Sequence, residues 1–366
     1  VGMEGATGID LSPCQGMQML NIDSEEEGQF VAACAGGIRV NGRIPVERVS
    51  TKTEAVREVF GKKIMLTGFA GGHSGTEIGK NGGNANVVLG WFLNELSEKV
   101  DISIIELQGG LKDNAIPVEA YAVVAKGTES DGKLNVNPEG ALGAGKKECP
   151  TENGNCCNRL EKEMQSRFSA TDPECRVVVD DWSAQDKEGK VPLSCLNAGD
   201  CKKILAFLSE APNGVQAMCE EPKGLVQTSL NLGIMKLEED GLQVSFSLRS
   251  SVAKEKEELK ERVSGLIEKY KGVVTTTGDY PAWEYKKVSP LREKMISVYE
   301  KQYGKKPMVL SLHAGLECGI LAAKKPGLDC VSFGPDILDI HTTRERMSIS
   351  SVNRVWKFLV EVIEEL

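Results

Sequence analysis

Three histidines in the sequence stand in loop-like stretches beside glycine or proline, where each could take part in chemistry. They are His73 in "GGHSG", His313 in "SLHAGLECG" and His341 in "GPDILDIH". An imidazole on a loop suits a metal ligand, a general base or a hydrogen-bond donor. A surface histidine without a function is the open alternative at each position.

Asp23 ends the short apolar run "GMQMLNID", and ligands of open α/β sheets gather where strands end. The same residue also begins an acidic loop, "DSEEE", and this simpler interpretation stays open. His341 also follows a predicted strand, "LDCVSFGPD". Asp23 and His341 therefore occupy comparable places in the α/β pattern, although nothing local requires them to meet.

A second group of residues could hold an anion. His73, Asn114 in "DNAIP" and Arg249 at a strand end together supply an imidazole, an amide and a guanidinium. Such groups suit a carboxylate and a developing oxyanion. Arg249 would equally suit a solvated strand end. Gly315 disfavours a helix through His313, so we expect His313 on a loop.

Strands and helices alternate at both ends of the chain, which predicts an α/β domain. The middle predicts an antiparallel sheet with helices on one face, inserted into that domain. Its clearest part is a hairpin around Asp240–Gly241, a favoured two-residue turn, followed by an amphipathic helix. The predicted division is 1–37 and 284–366 for the α/β domain and 38–283 for the insertion.

Composition narrows the class of protein. The chain has 366 residues and a net charge of -9, which argues against nucleic-acid binding by bulk electrostatics. No apolar run approaches the roughly 18 residues that a membrane span needs. Eleven scattered cysteines without a Cys-x-x-Cys pair are typical of free thiols in a reducing cytosol. A disulfide-bearing insertion between Cys149 and Cys201 remains an alternative.

Several motifs, taken in order, resemble those of a known family. They are "GMEGATGID", "LNIDSEEEG", "CAGG", "GGHSG" with "GNAN", "DNAIP", "APNGV", "SLRSS", "YPAW", "LHAGLECG" and "GPDILDIH". This order is similar to that of the aminoacyl-histidine dipeptidases, also called cytosolic non-specific dipeptidases. They form part of a two-zinc exopeptidase superfamily with aminoacylase and glutamate carboxypeptidase. The resemblance runs over nearly the whole chain and is weakest between about 135 and 199.

The resemblance implies an α/β metallopeptidase catalytic domain with an inserted α+β lid. It implies a cytoplasmic homodimer, paired through the lid, that hydrolyses Xaa-His and other dipeptides at two divalent metal ions. Zinc is expected, and cobalt or manganese would also suit such ligands. The implied site residues are Asp23 and His341 as metal ligands and His73, Asn114, Arg249, His313 and Gly315 as substrate-binding groups.

The family pattern also contains a Glu-Glu pair that supplies the general base and a metal ligand. Its expected place is immediately before Val1, so no catalytic base is expected within this chain. The chain alone is therefore expected to bind metal weakly and to hydrolyse nothing. Two alternatives remain: a non-catalytic homologue that serves as a dimerising peptide-binding module, and an aminoacylase or carboxypeptidase of the same superfamily.

Overall fold

The computed structural model of the chain describes residues 3–50, 58–126, 129–130, 133–134, 155–185, 194–220, 224–340 and 342–366. The helices are α1 (Glu4–Gly8), α2 (Ala85–Ser97), α3 (Asn155–Phe168), α4 (Ala198–Glu210), α5 (Ala253–Lys269), α6 (Pro290–Tyr303), α7 (Glu317–Lys324) and α8 (Ile349–Glu365), with a 3-10 turn at Ile78–Lys80. None of these helices is both long and apolar enough to cross a membrane.

The strands are β1 (Gln18–Asn21), β2 (Gln29–Cys34), β3 (Gly36–Pro45), β4 (Arg48–Ser50), β5 (Glu58–Thr67), β6 (Gly72–His73), β7 (Ile102–Gly109), β8 (Ala115–Ile116), β9 (Ala120–Lys126), β10 (Glu129–Ser130), β11 (Lys133–Leu134), β12 (Arg176–Gln185), β13 (Ser194–Leu196), β14 (Gly214–Met218), β15 (Val226–Leu237), β16 (Gly241–Ser250), β17 (Val273–Tyr280), β18 (Met308–Leu312), β19 (Asp329–Ser332), β20 (Ile337–Leu338) and β21 (Arg346–Met347). Mixed helices and sheets confirm the predicted α/β class.

A four-stranded sheet joins the two ends of the chain in the order β1-β19-β2-β18. The pairs β1/β19 and β2/β18 are parallel. Helices α6 and α8 pack together, and an aromatic cluster of Phe30, Tyr299, Phe333 and Phe358 lies in the core between them and the sheet. Because β1 and β19 are parallel, the loops that follow them leave the same edge.

A nine-stranded sheet follows the order β12-β5-β9-β7-β15-β16-β3-β17, with β14 paired to β15. Helices α2, α3, α4 and α5 contribute to one large apolar core on this sheet, in which Phe92, Phe207 and Phe246 are fully buried. The predicted hairpin is present, since the Glu238 N–H donates to the Gly241 carbonyl across the turn between β15 and β16.

The chain crosses between the two sheets at two adjacent points. Cys34 ends β2, and Trp283 follows β17. Their peptides exchange two backbone hydrogen bonds, with N···O distances of 2.9 and 3.0 Å. The predicted domain limits at 37/38 and 283/284 stay a prediction, although both crossings fall close to them.

Most of the described cysteines are free thiols, as predicted. They are Cys14, Cys34, Cys156, Cys175, Cys195, Cys201, Cys219, Cys318 and Cys330. Cys157, within the stretch where the disulfide alternative was left open, is disulfide-bonded.

Candidate substrate and metal site

His73 and Asn114 are brought together by a short β-ladder. Strand β6 pairs with β8, which sets His73 opposite Ala115, and the Ser74 N–H donates to the Asn114 carbonyl at 2.9 Å. Nδ1 of His73 accepts the Gly75 N–H at 3.2 Å, so the neutral ring carries its proton on Nε2. Burial, followed by the charge of Arg249, lowers the pKa of His73. His73 is therefore a neutral donor near pH 7.

Arg249 lies in a row of residues that crosses four strands. Ser229 on β15 is directly opposite Arg249 on β16, Arg249 is opposite Gly37 on β3, and Gly37 is opposite Tyr280 on β17. The Arg249 side chain is buried, and its Nη1 donates to the Tyr280 hydroxyl at 2.9 Å. Its Nε–H has no hydrogen-bond partner among the described residues. A buried cation with an unused donor is suited to an anionic ligand.

His313 follows β18 on a loop, as predicted, and is buried beside Arg249. Nε2 lies 2.7 Å from Ser229 Oγ, while Nδ1 has no partner in the described part of the chain. Burial, with a contribution from the Arg249 charge, lowers the pKa of His313 to about 4. The ring is therefore neutral at pH 7, and it adds no charge to the site.

Two glycines bring these groups close together. A Cβ at Gly75 would lie 2.6 Å from the His313 carbonyl oxygen, so the loop of His73 touches the loop of His313 only because Gly75 has no side chain. A Cβ at Gly315 would lie 2.7 Å from the Tyr280 ring. The five predicted substrate-binding positions are thus joined into one region by contacts along His73–Gly75, Arg249 and Tyr280.

Two buried residues that sequence reasoning did not single out support this region. Asn231 donates from Nδ2 to the carbonyls of Asp113 and Ala115, at 3.1 and 2.9 Å. These two hydrogen bonds fix the backbone on both sides of Asn114. Asp172 accepts the N–H groups of Ala70 and Gly83, which flank the loop that carries His73.

Little in the sequence marks the burial of Asp172 and Asn231. The position of Asn231 between Leu230 and Leu232 was the available hint for its burial, whereas Asp172 looked like an ordinary loop residue. Tyr280 belongs to the "YPAW" motif and could have been found there.

Of the two predicted metal ligands, Asp23 follows β1 at one end of the four-stranded sheet. Asp23 is exposed on the loop after β1, and the hydroxyls of Ser24 and Ser332 meet at 3.0 Å between that loop and the end of β19. The chain then continues from β19 toward His341, which lies outside the described residues. Burial, together with smaller effects that include the Asp23 carboxylate, raises the pKa of Cys318 to about 12, so this nearby thiol is inert.

The described residues do not by themselves fit a two-metal centre. No group of three or more His, Cys, Asp or Glu side chains within the described ranges is arranged to hold a metal ion. Asp23 alone supplies too few ligands for one bound divalent ion, let alone two.

The chain is similar to known proteins in both sequence and structure. No family model matches the chain. It is 30% identical to the cytosol non-specific dipeptidase of Escherichia coli (strain K12) over 365 residues, which cover 100% of this chain and 69% of that protein. Its structure superposes on the crystal structure of aminoacylhistidine dipeptidase from Vibrio alginolyticus with a TM-score of 0.84 and 29% identity, covering 100% of this chain and 69% of that one. The chain therefore belongs to the family of the cytosol non-specific, or aminoacylhistidine, dipeptidases.

Proposed function

We propose that this protein hydrolyses dipeptides, including Xaa-His dipeptides, and that the region around Arg249 holds the carboxylate end of the substrate. The observation that carries the proposal is the buried Arg249 guanidinium, whose Nε–H has no partner among the described residues. A free C-terminal carboxylate next to the scissile bond distinguishes a dipeptide from an internal segment of a longer chain. Arg249 supplies the charge-assisted donor that such a group requires.

The neighbouring groups are assigned roles that fit their chemistry. His73 donates from Nε2, because its Nδ1 is occupied by the Gly75 N–H. With the side-chain amide of Asn114, it would stabilise negative charge that develops on the scissile carbonyl oxygen. His313 and Gly315 shape the carboxylate end, His313 as a neutral ring beside Arg249. These groups bind and orient the substrate.

Metal dependence is the second part of the proposal. We assign Asp23 and His341 as ligands to divalent ions, with zinc expected first and cobalt or manganese as substitutes. The remaining ligands and the general base are not assigned. We further propose that two copies of the protein form a homodimer through the inserted lid, the segment that contains the nine-stranded sheet. We also propose a cytosolic location, which the name of the Escherichia coli relative gives for that protein.

A substrate panel tests the proposed reaction. The protein, purified with all residues that its coding sequence supplies, is assayed on Xaa-His dipeptides, other dipeptides, tripeptides and N-acyl amino acids. Cleavage restricted to dipeptides supports the proposal. Preferential cleavage of N-acyl amino acids would favour the aminoacylase alternative, and binding without cleavage would favour the peptide-binding module.

Two variants and a chelator test the assigned roles. Arg249→Lys, which keeps the charge but loses the planar donor set, should raise KM for dipeptides by about 10- to 100-fold, the equivalent of a lost hydrogen bond to a charged group. Asp23→Asn and treatment with a chelator should each abolish turnover, and added zinc should restore only the chelated wild type. Undiminished activity after complete metal removal would contradict the metal assignment.

A further inference from the structure

The Tyr280 side chain reaches Arg249 although strand β3 lies between the strands that carry the two residues. It ends β17 after a register shift that follows Thr277, and its partner on β3 is Gly37. A Cβ at Gly37 would overlap with the Tyr280 ring and hydroxyl. The tyrosine therefore folds across β3 to reach β16 only because residue 37 has no side chain.

The hydrogen-bond direction at Tyr280 leaves one donor unused. Arginine is only a donor, so Nη1 of Arg249 gives its hydrogen to the Tyr280 oxygen at 2.9 Å. The phenolic O–H is then available to another acceptor. No acceptor for this O–H is found among the described hydrogen bonds.

The surroundings of the ring place that donor beside the predicted substrate-binding residues. One face of Tyr280 lies against Gly315, where a Cβ would be 2.7 Å from the ring. The unpartnered Nε–H of Arg249 belongs to the same guanidinium that Tyr280 holds. A tyrosine O–H and an arginine N–H that meet across strand β3 can bind the two oxygens of one carboxylate.

We propose that Tyr280 is a specificity-determining residue of the substrate site. It holds the Arg249 guanidinium in place through Nη1, and its O–H donates to the same substrate carboxylate that Arg249 binds. Gly37 is the residue that makes room for this arrangement. The inference rests on the proposed function and adds a residue to it.

The test compares substrates with and without the carboxylate. Tyr280→Phe keeps the ring and removes the hydroxyl, and kinetics are measured on a dipeptide and on its C-terminal amide. We expect KM for the dipeptide to rise about tenfold, with kcat changed less than about threefold and the amide unaffected. The matched control is Tyr121→Phe, because the Tyr121 hydroxyl interacts with Gln108 and Glu106 and makes no described hydrogen bond to a predicted substrate-binding residue.

Gly37→Ala provides a second route to the same result. It leaves the hydroxyl in place but forces the Tyr280 ring away from Arg249, so it should also reduce the preference for the dipeptide over its amide. Melting temperatures show whether each variant is folded. If one variant does not fold, the other still reports on the contact.

The outcomes separate this inference from the proposed function. If the wild type cleaves dipeptides and a folded Tyr280→Phe retains the wild-type preference for dipeptide over amide, the role of Tyr280 is wrong. An equal loss of kcat on both substrates shows a merely structural role and also overturns it. If the wild type cleaves no dipeptide at all, the proposed function itself fails.

Discussion

Replacement of Asp172 by Asn should loosen the loop that carries His73. The Asp172 side chain is 1% exposed, and its carboxylate accepts three hydrogen bonds. Oδ1 takes the Ala70 N–H at 2.7 Å, and Oδ2 takes the Gly83 N–H at 2.8 Å and the Thr171 hydroxyl at 2.7 Å. Both ends of the loop are therefore fastened to one side chain that follows α3.

The stability cost of Asp172→Asn follows from the number of hydrogen-bond donors that lose their acceptor. The amide that replaces the carboxylate would have one oxygen, so its NH2 group must face either the Ala70 or the Gly83 N–H. The Thr171 hydroxyl can rotate, but the buried backbone N–H cannot. One orphaned buried donor costs about 1–3 kcal/mol, and the loss of charge assistance adds about 1 kcal/mol. We expect a total loss of about 3 kcal/mol.

Urea unfolding measures this loss, and amide hydrogen exchange at Ala70 and Gly83 locates it. The control is Asp101→Asn, because Asp101 is exposed in the turn between α2 and β7 and should change stability by less than about 0.5 kcal/mol. If the two substitutions cost the same, or if exchange accelerates elsewhere and not at the loop ends, the reasoning about Asp172 is wrong.

Other predictions concern titration and backbone support. His313 has a pKa lowered to about 4 against 6.5 when unfolded, so the unfolded state binds the proton first. Unfolding free energy should therefore fall as pH drops from 6.5 to 4, by up to about 1.4 kcal/mol per pH unit, and His313→Gln should flatten that slope in urea titrations. Asn231→Ala leaves two backbone carbonyls without their donor and should cost about 2 kcal/mol by thermal unfolding, whereas Asn94→Ala, which removes one exposed hydrogen bond, should cost little. Arg354 lowers the pKa of Glu27, so Glu27→Gln should destabilise at pH 7 and lose that effect as pH falls below about 4.5, which urea unfolding across that range would show.

Much of the fold could be predicted from local signals in the sequence. The β15–β16 hairpin followed from Asp240–Gly241 and alternation, and α2 follows Asn84, whose side chain accepts the Asn86 and Val87 N–H groups as an N-cap. The loop position of His313 followed from Gly315. These features depend on contacts within a few residues, which the sequence displays directly.

Other elements were missed because their cause is tertiary. A Gly-Gly pair such as Gly36–Gly37 is typical of a strand end, but this pair begins β3, a ten-residue strand near one edge of the larger sheet. Strand β12 was hidden in a region that looked polar, where it pairs along its length with β5. Glycine normally weakens a strand, but here the backbone of residues 280–282 lies against Gly36 and the Tyr280 ring lies against Gly37, and neither position has room for a side chain.

The candidate site also combines residues that were predicted from the sequence with contacts that were not. His73, Asn114, Arg249, His313 and Gly315 were predicted through the family resemblance, and the contacts between their loops and strands could not be derived from spacing. The supporting residues Asp172 and Asn231 act through buried hydrogen bonds between segments distant in sequence. A single sequence gives only a weak hint for Asn231 and none for Asp172 that would distinguish them from solvated polar residues.

The paired peptides of Cys34 and Trp283 have a consequence for how the molecule can move and change. The chain leaves the four-stranded sheet after Cys34, forms the nine-stranded sheet, and returns at Trp283. The outgoing and returning segments are joined by backbone hydrogen bonds. Because the two segments share these hydrogen bonds, one segment cannot slide past the other without breaking both of them. The intervening segment also behaves as a cassette: its ends are neighbours, so evolution could exchange, enlarge or remove it while the smaller sheet kept every one of its strand pairings.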